Sequence, residues 1–177
     1  MALATSFRQL PGTVLSVEEC TRWITTIDAL IAAHPFGCGL SQEVRDADLS
    51  ARMQGIIEQN VGAPVIVSDR WFCQHYGGLP GNTRELGNHM DGTTRLPGSP
   101  SGRSCTTLLI YLNADFEGGT TTFMSGPPPD GVAVHSVVPV PGKAVLLRQD
   151  AWHCGDLVTS GVKYLLRTDV GTSCEPT

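Results

Sequence analysis

The spacing of apolar positions changes character near residue 64. Before it, in LSVEECTRWITTIDALIAA (15–33), Val17, Trp23, Ile24, Ile27, Leu30 and Ile31 recur at helical intervals and share one face of an amphipathic helix. Ser16 stands three residues before Glu19, the spacing of a reciprocal N-terminal cap, and Leu15 is placed to pack on Cys20. A second helix is expected over Asp48–Gln59, with Leu49, Met53, Ile56 and Ile57 facing inward across Gly55. Both apolar faces need a sheet to cover them.

After residue 64 the period shortens to two. PVIVSDRWFCQHY, SCTTLLIYLN, TTTFM, GVAVHSVVPV, KAVLLRQ and VKYLLRTDV are short β-rich runs divided by Gly and Pro turns. Such a series predicts an antiparallel sandwich or small barrel, mainly β, with the two N-terminal helices on one outer face. Three segments read as loops: 77–88, 92–104 and 124–131. The first two flank HMDG and would form the rim of any site there. The third, MSGPPPDG, reads as a stiff connector in preference to an internal proline target.

At 177 residues, 41% hydrophobic and 16% charged, the chain has the size and composition of one globular domain. Its formal charge of −5 and lack of a basic run argue against general nucleic-acid binding. The longest apolar runs fall far short of the roughly 20 residues that cross a bilayer, and the N-terminus lacks a signal-peptide pattern, so a cytoplasmic chain with no membrane partner is expected. Six cysteines without a CxxC pair predict free thiols, with Cys73 and Cys105 as small core residues. Cys154 adjoins His153 and would meet any oxidative chemistry there.

Candidate chemistry starts from His89 and Asp91, which lie two apart and point to the same side of an extended chain. That pair is common by chance, so its neighbours must decide. Two imidazoles and one carboxylate on one face of an octahedral ferrous ion leave three positions open for an organic ligand and dioxygen. His153 is the candidate third ligand, while His34, His75 and His135 read as structural or surface residues. Ten residues beyond His153 comes Lys163 in an apolar strand, sharing one face with Leu165 and Arg167. A cation turned into a small barrel needs a counter-charge, and no buried acid is obvious in the sequence. A dicarboxylate chelating the metal at one end and meeting the cation at the other would supply it. The plainer reading puts Lys163 and Arg167 on the solvated face of an edge strand. A zinc hydrolase using the same ligand types, and a jelly-roll module that binds a metal or anion without catalysis, also remain open.

The ordered series HYGGLPG, HMDG, TTLLIYLNADFEGGTTTF, PGKAVLL and WHCGDLVTSGVKYLLRTDV, over about residues 64–170, resembles the iron(II)- and 2-oxoglutarate-dependent dioxygenases of the prolyl-4-hydroxylase type. The resemblance implies a single dioxygenase domain over 1–177, with helical support at about 15–60 and a double-stranded β-helix, or jelly-roll, core at about 64–170. It makes His89, Asp91 and His153 the iron ligands and places Lys163 on the far carboxylate of 2-oxoglutarate. Tyr111 would reach that carboxylate through its hydroxyl, and Tyr76 matches the tyrosine of the strand before HxD. Thr107 shares the face of Tyr111 and is placed to line the same pocket. Arg167 is the competing cation; otherwise it pairs with Asp169 or Asp156, or meets the substrate. The segment between Tyr76 and His89 is longer than the family pattern, and EGG at 117–119 reads as a tight turn without chemistry.

The implied reaction couples decarboxylation of 2-oxoglutarate, giving succinate and CO2, to hydroxylation of an unactivated C–H bond. It would use Fe(II) and O2, with ascorbate as a reductant. Relatives that halogenate leave the position of Asp91 to a halide, so the carboxylate here points to hydroxylation. The implied substrate is a peptidyl proline, with a free amino acid or other small metabolite as the alternative. Arg84, Arg95 and Arg103 on the rim loops would suit a carboxylate-bearing substrate, or serve solubility alone. Oligomeric state is left open.

Overall fold

A computed structural model describes residues 6–33, 41–77 and 85–172. The elements are β1 (Phe7–Gln9), α1 (Val17–Ala33), β2 (Ser41–Arg45), α2 (Ala47–Val61), β3 (Ile66–Val67), β4 (Arg70–Gly77), β5 (Leu86–His89), β6 (Thr106–Tyr111), β7 (Glu117–Gly118), β8 (Thr121–Met124), β9 (Ala133–Val137), β10 (Ala144–Arg148), β11 (His153–Gly155), β12 (Val158–Ser160) and β13 (Val162–Gly171). A major antiparallel sheet runs in the order β1, β10, β6, β13, β4, β2, with β3 also on β13. A minor sheet runs β5, β11, β8, β9, and β7 pairs with β12. This is the double-stranded β-helix expected from the motifs. Among the described residues no helix is long and apolar enough to cross a membrane.

The major sheet is covered on both faces, which explains why its strands read as near-continuous apolar runs. On one face Trp71, Cys73, Leu108, Ile110, Leu146 and Leu166 pack with Ile27 of α1 and Met53 and Ile57 of α2. On the other, Tyr76, Leu109, Tyr111, Leu147 and Leu165 pack against Phe123 and Val137 of the minor sheet. Strand β13 is the hinge of this arrangement because β6 and β4 flank it. By period two its Leu166 and Val170 face the helices, while Lys163, Leu165, Arg167 and Asp169 face the minor sheet. The edge-strand reading of Lys163 and Arg167 therefore fails. Lys163 is only 3% exposed.

The reciprocal cap of α1 is present: Ser16 N donates to Glu19 Oε2 at 2.7 Å and Glu19 N to Ser16 Oγ at 3.2 Å. Val17 does not join the apolar face; it is 69% exposed, at the first helical position, ahead of the first turn that packs. Helix α2 begins one residue before the expected Asp48, because Asp46 caps it: its Oδ1 accepts from Leu49 N at 2.7 Å. The helix ends on Gly62, whose φ of 72° is the left-handed conformation a glycine adopts without strain.

Strands β1, β2, β7, β11 and β12 were not foreseen. They are short or polar, and their register comes from partners, as when β2 pairs with β4 and Glu43 meets Arg70 at 2.7 Å. Part of the expected loop 77–88 is strand, since Leu86–His89 forms β5; residues 78–84, including Arg84, lie outside the described residues. The 124–131 connector joins β8 to β9, with Ser125 N donating to Val132 O at 2.9 Å and Gly131 N to Pro127 O at 2.8 Å. Cys20, Cys73 and Cys154 are free. Cys105 is disulfide-bonded, which corrects the expectation of free thiols; its partner lies outside the described residues, and sequence spacing carries no sign of such a bond.

Replacing Asp46 with Ala removes the α2 cap and is expected to lower unfolding free energy by about 1 kcal/mol in a urea titration. Asp48→Ala, which touches no cap, is expected to change it by less than about 0.5 kcal/mol.

Candidate metal centre

Strands β5 and β11 pair antiparallel with His89 directly opposite His153, which sets the ring centroids 4.3 Å apart. Asp91, two residues past His89, returns its Oδ1 to 3.6 Å from His89 Nε2. One ligand atom from each of the three lies within 4.8 Å of the others. No other group of three His, Cys, Asp or Glu among the described residues does this.

The backbone fixes which atoms face the gap. His89 Nδ1 lies 2.7 Å from Gly87 O, and His153 Nδ1 lies 3.0 Å from Ala151 O. A carbonyl only accepts, so each Nδ1 carries the hydrogen and each Nε2 keeps its lone pair for a metal. Thr107 Oγ1 donates to Asp91 Oδ2 at 2.5 Å, which leaves Oδ1 on the histidine side. Two imidazoles and one carboxylate, with the remaining side open to a cavity, fit a ferrous ion.

Burial raises the Asp91 carboxyl, but contact with His89, the Arg167 charge and the Thr107 bond outweigh it and hold the group well below the usual carboxylate range. The Asp91 contact pushes His89 up against burial, while burial pushes His153 down. His153 is thus neutral and ready to ligate, whereas at His89 a metal competes with a proton.

The sequence profile of the 2OG-Fe(II) oxygenase superfamily matches residues 71–168, more than half of the chain. The chain belongs to that superfamily. It is accordingly a 2-oxoglutarate-dependent iron oxygenase, using Fe(II), 2-oxoglutarate and O2. No curated protein matches the chain. Solved structures share its fold. A viral collagen prolyl hydroxylase from Paramecium Bursaria Chlorella virus-1, solved with 2-oxoglutarate, is 16% identical with a TM-score of 0.63, over 96% of this chain and 97% of that one. A Pseudomonas putida prolyl-4-hydroxylase is 19% identical with a TM-score of 0.61, over 97% and 96%. The α-ketoglutarate-dependent carbocyclase SnoK of nogalamycin biosynthesis is 17% identical with a TM-score of 0.67, over 96% and 80%.

Deeper in the oxygenase cavity lies Lys163. Its Nζ donates to Gly119 O at 2.7 Å and sits 5.6 Å from the ring centres of both Tyr76 and Tyr111. Tyr111 Oη donates to Thr121 Oγ1 at 2.8 Å. Burial brings Lys163 down to about 8, with Asp156 opposing the shift, and raises Tyr76 and Tyr111 to about 12. Both phenols are therefore neutral donors at neutral pH. The EGG turn is more than a turn here, because the Gly119 carbonyl orients the ammonium.

Arg167 lies toward the metal end. Its Nη2 is 3.3 Å from Asp169 Oδ1 and 3.8 Å from Asp91 Oδ1, and its guanidinium stands 5.4 Å from the Phe72 ring centre. Of the two acids expected as partners, Asp169 is the one engaged. It is a buried acid that the sequence did not reveal. Thr107, expected beside Tyr111 in the co-substrate pocket, instead spends its hydroxyl on Asp91.

Gln74, Thr121 and Gln149 were missed. The first two share strand faces with Tyr76 and Phe123, a parity signal that was available. Gln149 shows only through its bond to Asp169 at 2.9 Å. Cys154 lines the cavity, but burial pushes its thiol to about 11, so it stays protonated. His135 stacks on Phe7 at 4.7 Å and His75 is buried away from the site, while His34 lies outside the described residues. Arg95 and Arg103 are exposed, the latter donating to Thr93 O at 3.0 Å.

Thr107→Val, which frees Asp91 to rotate, is expected to weaken Fe(II) binding about 10- to 100-fold in an anaerobic titration, and Thr107→Ser to restore it.

Proposed function

We propose that the chain is a single-domain hydroxylase over residues 1–177, oxidising an unactivated C–H bond with release of succinate and CO2. His89 and His153 hold the ferrous ion through Nε2 and Asp91 through Oδ1. The observation that carries this reading is the convergence of those three atoms on one edge of a cavity that also contains a buried lysine. Bound iron would supply the oxidative decarboxylation of 2-oxoglutarate and the oxidising power for C–H cleavage.

The protein's part is placement. Lys163, steadied by Gly119, takes the far carboxylate of 2-oxoglutarate, and the Tyr111 hydroxyl turns from Thr121 toward the same group. Leu109 and Leu165 line the wall between and keep it dry. Asp91 fills the coordination position that halogenating relatives leave to a halide, which supports hydroxylation. The fold likeness to the viral and Pseudomonas prolyl hydroxylases supports a peptidyl proline as substrate. A free amino acid or other small metabolite is the second reading, and the guanidinium of Arg167 inside the cavity favours it.

Anaerobic addition of Fe(II) and 2-oxoglutarate is expected to give a weak visible charge-transfer band that His153→Ala lacks. With oxygen and a proline-peptide and metabolite panel, succinate should appear alongside a +16 Da product. A silent spectrum contradicts the reading; succinate with no modified product across the panel shows uncoupled turnover alone.

Lys163 must be protonated to hold a carboxylate. With its pKa brought down to about 8, the dissociation constant of 2-oxoglutarate is expected to rise about tenfold per pH unit above that value. Lys163→Arg should flatten the profile. Lys163→Met should raise the 2-oxoglutarate requirement far more than Arg167→Met does; equal effects would reverse the assignment of the two cations.

A further inference from the structure

We infer that Arg167, with Gln74 beside it, anchors a free carboxylate of the substrate, so the substrate is a small carboxylic acid and not an internal residue of a peptide. The inference rests on the hydroxylase reading and narrows it. Gln74 stands on β4 opposite Leu165, two residues from Arg167 on β13, and both side chains line the cavity with His89, Asp91 and His153.

A guanidinium carries five N–H donors in a planar fork. In Arg167 only Nη2 meets acceptors among the described residues, at Asp169 Oδ1 and Asp91 Oδ1. Asp169 already accepts from Gln149 Nε2 at 2.9 Å on Oδ1 and from Thr94 Oγ1 at 3.0 Å on Oδ2. It holds the arginine in position without absorbing the fork. Phe72 backs the guanidinium. Gln74 receives only a long contact on Oε1, 3.4 Å from Tyr76 Oη, and its Nε2 has no acceptor among the described residues. Unspent donors on a guanidinium and a carboxamide, on adjacent strands lining the cavity that also holds the Asp91 carboxylate, match the two oxygens of a carboxylate.

An internal prolyl residue offers this fork only neutral carbonyl oxygens, one at a time, whereas a free carboxylate offers two charged oxygens in the matching geometry. Lys163 lies four residues back on the same face, about 13 Å along the strand, so the two cations serve different carboxylates. The metal-side carboxylate of 2-oxoglutarate is the rival occupant of Arg167.

The test follows the charge-transfer band of the anaerobic Fe(II)–2-oxoglutarate holoenzyme. The probes are free L-amino acids including L-proline, short-chain carboxylic acids, the carboxamides of all of these, and the blocked peptide acetyl-Gly-Pro-Gly-amide. At least one free acid is expected to shift the band, with its carboxamide at least about tenfold weaker and the peptide inert. Arg167→Gln should erase the difference between acid and amide, and should weaken the acid at least about tenfold more than it weakens 2-oxoglutarate. Gln74→Leu, which leaves the Arg167–Asp169 pair intact, should weaken the acid several-fold. The inference is overturned if carboxamides or the peptide bind as tightly as acids, if no acid shifts the band, or if Arg167→Gln weakens 2-oxoglutarate as much as it weakens the acid. A wild-type enzyme that gives no band with Fe(II) and 2-oxoglutarate would sink the hydroxylase reading itself.

Discussion

Everything in the site depends on one strand register, the pairing of β5 with β11 that sets His89 across from His153. Side chains alternate faces along a strand, so a slip of one residue would send one imidazole out of the cavity. The two histidines use the same local device. Each donates Nδ1–H to the carbonyl two residues before it, so the backbone selects the tautomer before any ion arrives. Asp91 needs no strand of its own, because Thr107 on β6 fixes its carboxylate from the other side.

The major sheet makes this possible by being two-faced. Its outer side is spent on α1 and α2, which bury Trp71, Leu108, Ile110 and Leu166 and give the sheet a rigid back. Its inner side then carries groups that would be intolerable in an ordinary core: Lys163, Arg167, Asp169 and Gln149. They persist because they bond to one another and to fixed backbone. Gln149 links Ser104 to Asp169, Asp169 holds Arg167, and Gly119 receives Lys163. A network satisfied in this way is stiff, and stiffness at Asp91 and Arg167 is what placement of reactants requires.

Much of this was legible in the sequence, for identifiable reasons. The alternation in KYLLRTDV indicated which residues share a face, while the five ordered motifs carried a family resemblance that implied His89, Asp91 and His153 as the metal set and Lys163 as the cation. The capping pair Ser16 and Glu19 showed where α1 begins. What stayed hidden depends on tertiary partners. Strand β2 is polar and forms because β4 offers it an edge; Val17 fits the helical period yet precedes the packed turn. The disulfide at Cys105 leaves no local trace. Thr107 and Gln149 are unremarkable in sequence, and only the folded register brings the first to Asp91 and the second to Asp169. Which end of the cavity each cation occupies also needed coordinates.

The central claim is that the two imidazoles and the Asp91 carboxylate share one ferrous ion. Diffraction at the iron absorption edge, from crystals grown anaerobically with Fe(II) and 2-oxoglutarate, tests it most directly. The expected result is a single anomalous peak bonded to Nε2 of His89, Nε2 of His153 and a carboxylate oxygen of Asp91, with the far end of the keto acid against Lys163. Iron bound elsewhere, or a peak that leaves any one of the three side chains outside its coordination sphere, would contradict it.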